Sequence, residues 1–282
     1  PIGVHVHVPW KAGLMAWWLW KRKGIPYTIT EHWGIYNKVV GDNFNHWPLW
    51  AQKALKTIVH RSRCFSAPSK FLLQQSAELL KYTGPSAQIR NVVDTTIFQY
   101  CESNKKTIFT FLHVSNMVPL KNVVGILVAF KQLYQSGIQA NLYLAGAEPV
   151  WIKEWITAEG MGSVVQLTPE VPQHQIAALM QQAHVYIQNS VMENAPCVIS
   201  EALCSGLPVI STAVGGVPEM LNDANGILVS PDNVEALYAA MRQMIDKAKD
   251  FDNIRIRNEA IALYSQDAVS KGFSTLYNTY FR

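Results

Sequence analysis

The sequence predicts an α/β fold of two doubly wound parallel sheets in tandem, and three observations predict it. From Thr107 onward, short runs of β-branched and aromatic residues alternate with helix-length segments, the pattern of a parallel sheet covered by helices on both faces. The same alternation runs before residue 100. Between the two lies Gln99-Tyr-Cys-Glu-Ser-Asn-Lys-Lys106, polar and without periodicity, which is the candidate linker. A chain of 282 residues has room for two ordinary domains.

Taken in order, the first half reads as strand 2–8, helix 11–23, strand 26–30, helix 47–60, strand 62–66 and helix 68–82. The opening Ile-Gly-Val-His-Val-His-Val carries the two-residue period of a strand. The second half reads as strands 108–114, 140–145, 163–167, 184–188, 208–212 and 226–229, with helices 122–136, 150–159, 173–182, 196–205 and 233–248 between them. Pro196 suits a first helical turn, where an amide proton would be left over, and Gly206 suits the left-handed residue that ends the same helix. The domains expected are residues 1–104 and 105–264, with a closing helix 265–282 packing back on the first. In open α/β sheets ligands sit outside the carboxyl ends of the strands, so two such sheets facing one another should form a binding cleft. Pro1 leads straight into a strand, which reads as a start within a domain.

Composition narrows the class. With 49% hydrophobic and 16% charged residues the chain is neither a disordered tail nor a small disulfide scaffold. The longest strongly apolar run, residues 13–20, is far shorter than the roughly 20 residues a spanning helix needs. Cys64, Cys101, Cys197 and Cys204 form no C-x-x-C pair, which argues against a metal site and for a reducing, cytoplasmic compartment. Residues 1–104 hold 12 lysines and arginines against 5 acids, residues 105–282 hold 12 against 15, and seven of the nine tryptophans lie in the first half. A basic, Trp-rich domain suits peripheral contact with anionic lipid at the inner face of the cell membrane, or an anionic acceptor; the plainer reading is a solvated basic face over an aromatic core. No G-x-G-x-x-G follows a strand, which excludes a nicotinamide dehydrogenase, and the basic residues line no single stripe, which excludes nucleic acid as the partner.

The segment richest in chemistry is Asn189-Ser-Val-Met-Glu193-Asn-Ala-Pro-Cys-Val-Ile-Ser-Glu201, which follows a strand and turns into a helix. Backbone donors and the positive end of the helix dipole gather near residues 194–198, a natural seat for a phosphate. Glu193 stands just before the helix and Glu201 about two turns inside it. Two carboxylates beside a phosphate seat suit hydroxyls, one holding a sugar and the other a ribose. Taken singly, each would be an ordinary helix acid.

Spacing and context together resemble the E-x7-E motif of retaining GT-B glycosyltransferases, glycosyltransferase family 4. Glu201-Ala-Leu-Cys-Ser-Gly-Leu-Pro-Val-Ile-Ser-Thr212 and Gly215-Gly-Val-Pro-Glu219 match as well. So do Asn91-Val-Val-Asp94-Thr-Thr-Ile-Phe98, Val114-Ser-Asn-Met-Val-Pro-Leu-Lys121-Asn122 and the closing helix. The resemblance implies a GT-B fold, two Rossmann-like domains facing a cleft, the N-terminal one incomplete and lacking its glycine-rich loop. It implies transfer of a sugar from a nucleotide-sugar donor, UDP- or GDP-linked, to a glycan or lipid-linked acceptor with retention of configuration. Neither cofactor nor metal is implied, and the setting is polysaccharide or cell-envelope biosynthesis.

By the same resemblance Glu201 binds the ribose and Glu193 the donor sugar hydroxyls, while Asn194, Ala195, Pro196 and Cys197 supply sugar and phosphate contacts. Lys121 binds the diphosphate and offsets charge on the leaving group. Ser115-Asn116 stands where the family usually has Gly-Arg, so Asn116 brings hydrogen bonds without charge. His32 is the N-domain histidine that faces the donor sugar, and His5 and His7, on one strand face, can point the same way. No third ligand makes that pair a metal site. Two other readings share the pocket: a non-catalytic or degenerate nucleotide-sugar-binding fragment, and another GT-B enzyme such as a sugar-nucleotide epimerase or phosphorylase. A glycosidase is excluded, since Glu193 and Glu201 sit on one side of any bond they could flank.

Overall fold

The computed structural model describes residues 2–39 and 43–281, and its strands fall into two all-parallel sheets. Pro1, Val40, Gly41, Asp42 and Arg282, which fall inside the expected domain spans, lie outside the described residues. Contacts divide the chain into two units, one of Pro1–Asn91, Glu193–Ala195 and Asp267–Arg282, the other of Val92–Met192 and Pro196–Gln266.

The first unit runs β1 (Val4–His7), α1 (Ala12–Lys23), β2 (Tyr27–Thr30), α2 (Leu49–Arg61), β3 (Phe65–Ala67), α3 (Lys70–Leu80) and β4 (Ser86–Gln88). Its sheet order is β1-β2-β3-β4, so every parallel crossover steps to the neighbouring strand. β2 and β3 are buried at every position, as strands covered on both faces must be. β4 is absent from the sequence reading because Ser-Ala-Gln carries no β-branched signal; its pairing with β3, Phe65 opposite Ser86, makes it a strand.

The second unit runs β5 (Phe109–Ser115), α4 (Val123–Gln135), β6 (Ala140–Gly146), α5 (Val150–Ala158), β7 (Val165–Thr168), α6 (Gln173–Gln182), β8 (Val185–Gln188), α7 (Cys197–Cys204), β9 (Val209–Thr212), β10 (Gly226–Val229), α8 (Val234–Lys247) and α9 (Asn253–Tyr264). Its sheet order is β10-β9-β8-β5-β6-β7. The chain winds outward from β5 to β7 and then restarts at β8 on the other side, which makes the carboxyl ends of β5 and β8 the topological switch point. Alternate residues of β5 feed different layers: Phe111 packs with α4 and α8, Leu112 with α6, α7 and α9.

Three details depart from the sequence reading. α7 begins at Cys197 with Pro196 just before it, which puts Glu201 one turn inside the helix rather than two. α9 escapes detection because Ile254-Arg-Ile-Arg257 alternates with the period of a strand, although the segment is helical. The stretch 99–106 packs within the second unit, where Lys106 N–H donates to the Gln182 carbonyl at 3.1 Å. Gly206 does take up φ 72°, with its missing side chain facing the Asn253 carbonyl.

The last helix, α10 (Gln266–Tyr280), returns to the first unit, where Val269 and Leu276 share a small apolar cluster with Cys64 and Ile89.

Candidate active site

Two loops leave the switch point of the second unit. The first runs from Ser115 through Asn116 and Met117 into a 3-10 turn, Pro119–Lys121, and Asn122 caps α4 by accepting from Gly125 N–H. The second runs from Asn189 to Pro196. Val191 N–H donates to the Leu120 carbonyl at 2.8 Å and Asn189 Nδ2 to the Asn122 carbonyl at 3.2 Å, so hydrogen bonds tie the loops together. Gly146 backs the first loop at φ 125°, where an added Cβ would lie 1.9 Å from the Ser115 carbonyl oxygen.

Beneath the first loop lies a residue the sequence reading missed. His113 is fully buried, with Nδ1 2.9 Å from the Ile187 carbonyl and Nε2 2.8 Å from Ser115 Oγ. A carbonyl only accepts, so Nδ1 carries the proton and the Ser115 hydroxyl donates to Nε2. Ser115 Oγ in turn accepts from Met117 N–H at 3.0 Å, which steadies Met117 at the left-handed φ of 55°. Burial pushes the His113 pKa down to about 4, so the ring is neutral and the direction of the chain is fixed. Ser115, expected among the donor contacts, therefore commits its proton inside the loop. A histidine in the middle of Phe-Leu-His-Val was the available signal, since a buried ring must find partners.

Glu201 projects from α7 one turn inside the helix, half-buried, and accepts from Gln173 Nε2 at 3.2 Å. Burial raises its pKa and the Gln173 bond opposes the rise. Among the described residues no side chain caps the start of α7. Ser115, Asn116, Lys121, Pro196, Cys197 and Glu201 thus all belong to the carboxyl-end loops of the second unit or to the helix start beside them.

The other expected residues gather in the first unit. Glu193, Asn194 and Ala195 group there by contact, Asn194 Nδ2 donating to the His32 carbonyl at 3.2 Å and Asn91 Nδ2 to the Ala195 carbonyl at 3.0 Å. Asn194 Oδ1 is buried with no partner among the described residues, an acceptor shaped for a hydroxyl or amide donor. The His32 loop hangs on Glu31, whose fully buried carboxylate accepts His32 N–H at 2.8 Å, Trp33 N–H at 2.9 Å and the Tyr36 hydroxyl. Burial pushes Glu31 up to about 7 against these three donors.

His32 belongs to a stack of three histidines. Its ring lies parallel to His7, centroids 5.3 Å apart, and its Nε2 is 3.0 Å from His7 Nδ1. His7 stands 4.4 Å from His5, whose Nε2 and Nδ1 are each 2.7 Å from an oxygen, Thr30 Oγ1 and Tyr277 OH. Burial and then the neighbouring rings push His5 down to about 4, and burial lowers His32 as well. Among the described residues no group of three His, Cys, Asp or Glu side chains is arranged to hold a metal.

Residues 96–260 match the family model described as Glycosyl transferases group 1, and residues 3–97 match that of Glycosyltransferase Family 4. The chain belongs to the glycosyl transferases group 1 family. It is 26% identical over 243 residues to the MMP alpha-(1->4)-mannosyltransferase of Mycolicibacterium hassiacum, 79% of this chain and 59% of that one. It spans about half the length of the curated relatives it matches. Among solved structures it is similar to a sucrose-phosphate synthase from Thermosynechococcus elongatus, TM-score 0.84 and 20% identity, over 98% of this chain and 73% of that one. It is also similar to Anabaena HepE in complex with UDP-glucose, TM-score 0.77 and 18% identity, over 98% and 78%. The fold is GT-B, built of two Rossmann-like domains.

On this group 1 glycosyltransferase chain the helices α1 and α2 carry no acid. Each exposes apolar residues in its first turns, Leu14, Met15 and Trp18 on α1 and Leu49 and Trp50 on α2, and basic ones after them, Lys21, Arg22 and Lys23 or Lys53 and Arg61. Trp10, just before α1, packs on Trp47 at 5.0 Å and on Trp50 of α2 at 6.1 Å. The remaining tryptophans of α1, Trp17 and Trp20, pack against the core instead. No helix of the described residues is long and apolar enough to cross a membrane.

Proposed function

We propose that this chain carries the catalytic region of a retaining glycosyltransferase that moves a sugar from a UDP- or GDP-linked donor to a glycan or lipid-linked acceptor. The observation that carries the reading is the placing of Lys121 and the α7 start, with Glu201 one turn inside the helix, at the β5–β8 switch point of a group 1 family fold. Glu201 accepts the ribose hydroxyls, the backbone at Pro196 and Cys197 seats phosphate, and Lys121 offsets charge on the departing diphosphate. Glu193 and Asn194 take donor sugar hydroxyls with His32 beside them. The bond from the anomeric carbon to the phosphate oxygen breaks, the acceptor oxygen bonds to that carbon on the same face, and the acceptor proton passes to the leaving phosphate. Asn116 adds hydrogen bonds without a second cation. HepE, a structural neighbour, is described in complex with UDP-glucose, in keeping with a nucleotide-sugar donor.

A thermal-shift panel of UDP, GDP, ADP and their common sugar forms tests the donor. A nucleotide at a hundred times its dissociation constant is expected to stabilise the chain by about 2.7 kcal/mol. NMR of the product then reads the anomeric configuration. Nucleotide binding without transfer to any acceptor would make the chain a donor-binding homologue; no shift with any nucleotide would overturn the reading.

The acid-free patch of α1 and α2 is, on this proposal, a docking face for anionic lipid, apolar side chains entering the interface and the basic turns meeting headgroups. Trp18→Ala with Trp50→Ala is expected to lower partitioning onto vesicles of one-third phosphatidylglycerol about tenfold, from the apolar area withdrawn. Raising salt should weaken the wild type as well. Equal sedimentation of variant and wild type would remove the membrane from the proposal.

A further inference from the structure

We propose that His7 touches substrate: its Nε2 lone pair accepts a hydrogen bond from a carbohydrate hydroxyl. The assignment rests on the glycosyltransferase reading and follows from where each proton of the histidine stack must lie.

His5 has no capacity left. Ser66 Oγ donates to the Ile29 carbonyl at 3.1 Å, so in its 2.6 Å contact with Thr30 Oγ1 the Thr30 hydroxyl is the donor. Thr30 Oγ1 must then accept from His5 Nε2, and the bare His5 Nδ1 accepts from the Tyr277 hydroxyl. One directed chain runs from Tyr277 through His5, Thr30 and Ser66 to a carbonyl, and every member is satisfied.

His32 is fixed from the other side. Asn91 presents Nδ2 to the Ala195 carbonyl, and its side-chain bond to His32 favours the protonated ring, as a bond to an acceptor does, so on this proposal Asn91 Oδ1 accepts from His32. His32 uses Nε2 toward His7, so its proton sits on Nδ1, facing Asn91, and Nε2 is bare. His7 Nδ1 is therefore the donor in the 3.0 Å contact. A neutral ring carries one proton, which leaves His7 Nε2 an exposed lone pair with no partner among the described residues.

Of six ring nitrogens, five are committed and the sixth opens at the carboxyl edge of the first unit's sheet, where β1 ends. The titratable groups around it are His5 on β1, His32 and Glu31 after β2, and Tyr277 on α10; Phe273 on α10 supplies an apolar wall. An outward acceptor backed by such a fixed chain selects a hydroxyl over an anion. Asn194 Oδ1, one of the buried side-chain oxygens of this unit with no partner among the described residues, calls for the same chemistry.

Long-range ¹H–¹⁵N spectra of the intact chain at neutral pH test the tautomers without any substrate. Protons on His5 Nε2, His7 Nδ1 and His32 Nδ1 are expected, and a proton on His7 Nε2 would overturn the proposal. His7→Asn keeps a donor toward His32 and loses the outward acceptor, while His7→Gln places an amide oxygen near the old Nε2. His7→Asn is expected to cost about tenfold, as one neutral hydrogen bond does, and His7→Gln to recover most of it. A loss in nucleotide-sugar affinity with the free nucleotide unchanged would assign the hydroxyl to the donor; a raised acceptor KM alone would assign it to the acceptor. Equal losses in both variants, or none in a wild type that transfers sugar, would overturn the role of His7 and leave the transferase reading standing. If no nucleotide sugar binds, that reading fails on its own, and a substrate role for His7 falls with it whatever the tautomers.

Discussion

Replacing Glu201 by alanine is expected to raise the dissociation constant for the donor nucleotide about a hundredfold, the equivalent of about 3 kcal/mol from two hydroxyls bonded to a carboxylate. The side chain is half-buried and, among the described residues, hydrogen-bonds to the Gln173 side chain at 3.2 Å, so its removal leaves no buried donor stranded there and the fold should keep its stability. Glu201→Gln keeps one oxygen and loses the charge, and a loss of about tenfold is expected. Burial raises the Glu201 pKa, and only the ionised form accepts from both hydroxyls. Nucleotide affinity in the wild type should therefore fall as pH drops through that raised value, and Glu201→Gln should show no such fall. Titration calorimetry at several pH values reads both. A Glu201→Ala chain that binds nucleotide as tightly as the wild type would remove Glu201 from the ribose.

The residues of this prediction were legible because they are neighbours in sequence. Pro196, Glu201 and Gly206 lie within eleven positions, and a helix start, the turn that follows it and its left-handed end are local events. Lys121 was legible for the same reason, one loop after a strand. What remained hidden depends on long-range partners. His113 is explained by Ile187, 74 residues away, and no periodicity announces that contact. The outward nitrogen of His7 is settled by Asn91 and Ala195, which meet across 104 residues. β4 and α9 were hidden for a different reason, since pairing and packing overrode what Ser-Ala-Gln and Ile-Arg-Ile-Arg prefer locally.

Glu31 should make the stability of the wild type fall as pH rises from about 4.5 to about 7. The folded state holds the Glu31 proton up to about 7, whereas the ordinary value is 4.5. Between those limits the folded state binds more protons than the unfolded one, so the free energy of unfolding declines with pH. The contribution is complete below about pH 4.5 and gone above about pH 7, and the shift corresponds to about 3 kcal/mol. Glu31→Gln removes the titration and keeps an oxygen for His32 N–H and Trp33 N–H, so its stability should be flat across the same window and at least equal to the wild type at pH 8. Glu31→Ala strands both amides and the Tyr36 hydroxyl in a dry site, at a cost of about 3 kcal/mol relative to Glu31→Gln at every pH. Urea unfolding at pH 5, 6, 7 and 8 separates the three, and parallel curves for wild type and Glu31→Gln would show that Glu31 ionises as readily in the fold as outside it. Retaining an acid there at neutral pH has a reason in the His32 loop: an ionised carboxylate accepts from three donors at once, whereas an amide turns one of its two arms into a donor facing Tyr36. Glu31→Gln is thus expected to fold well and to hold His32 less firmly, stability and site geometry moving in opposite directions.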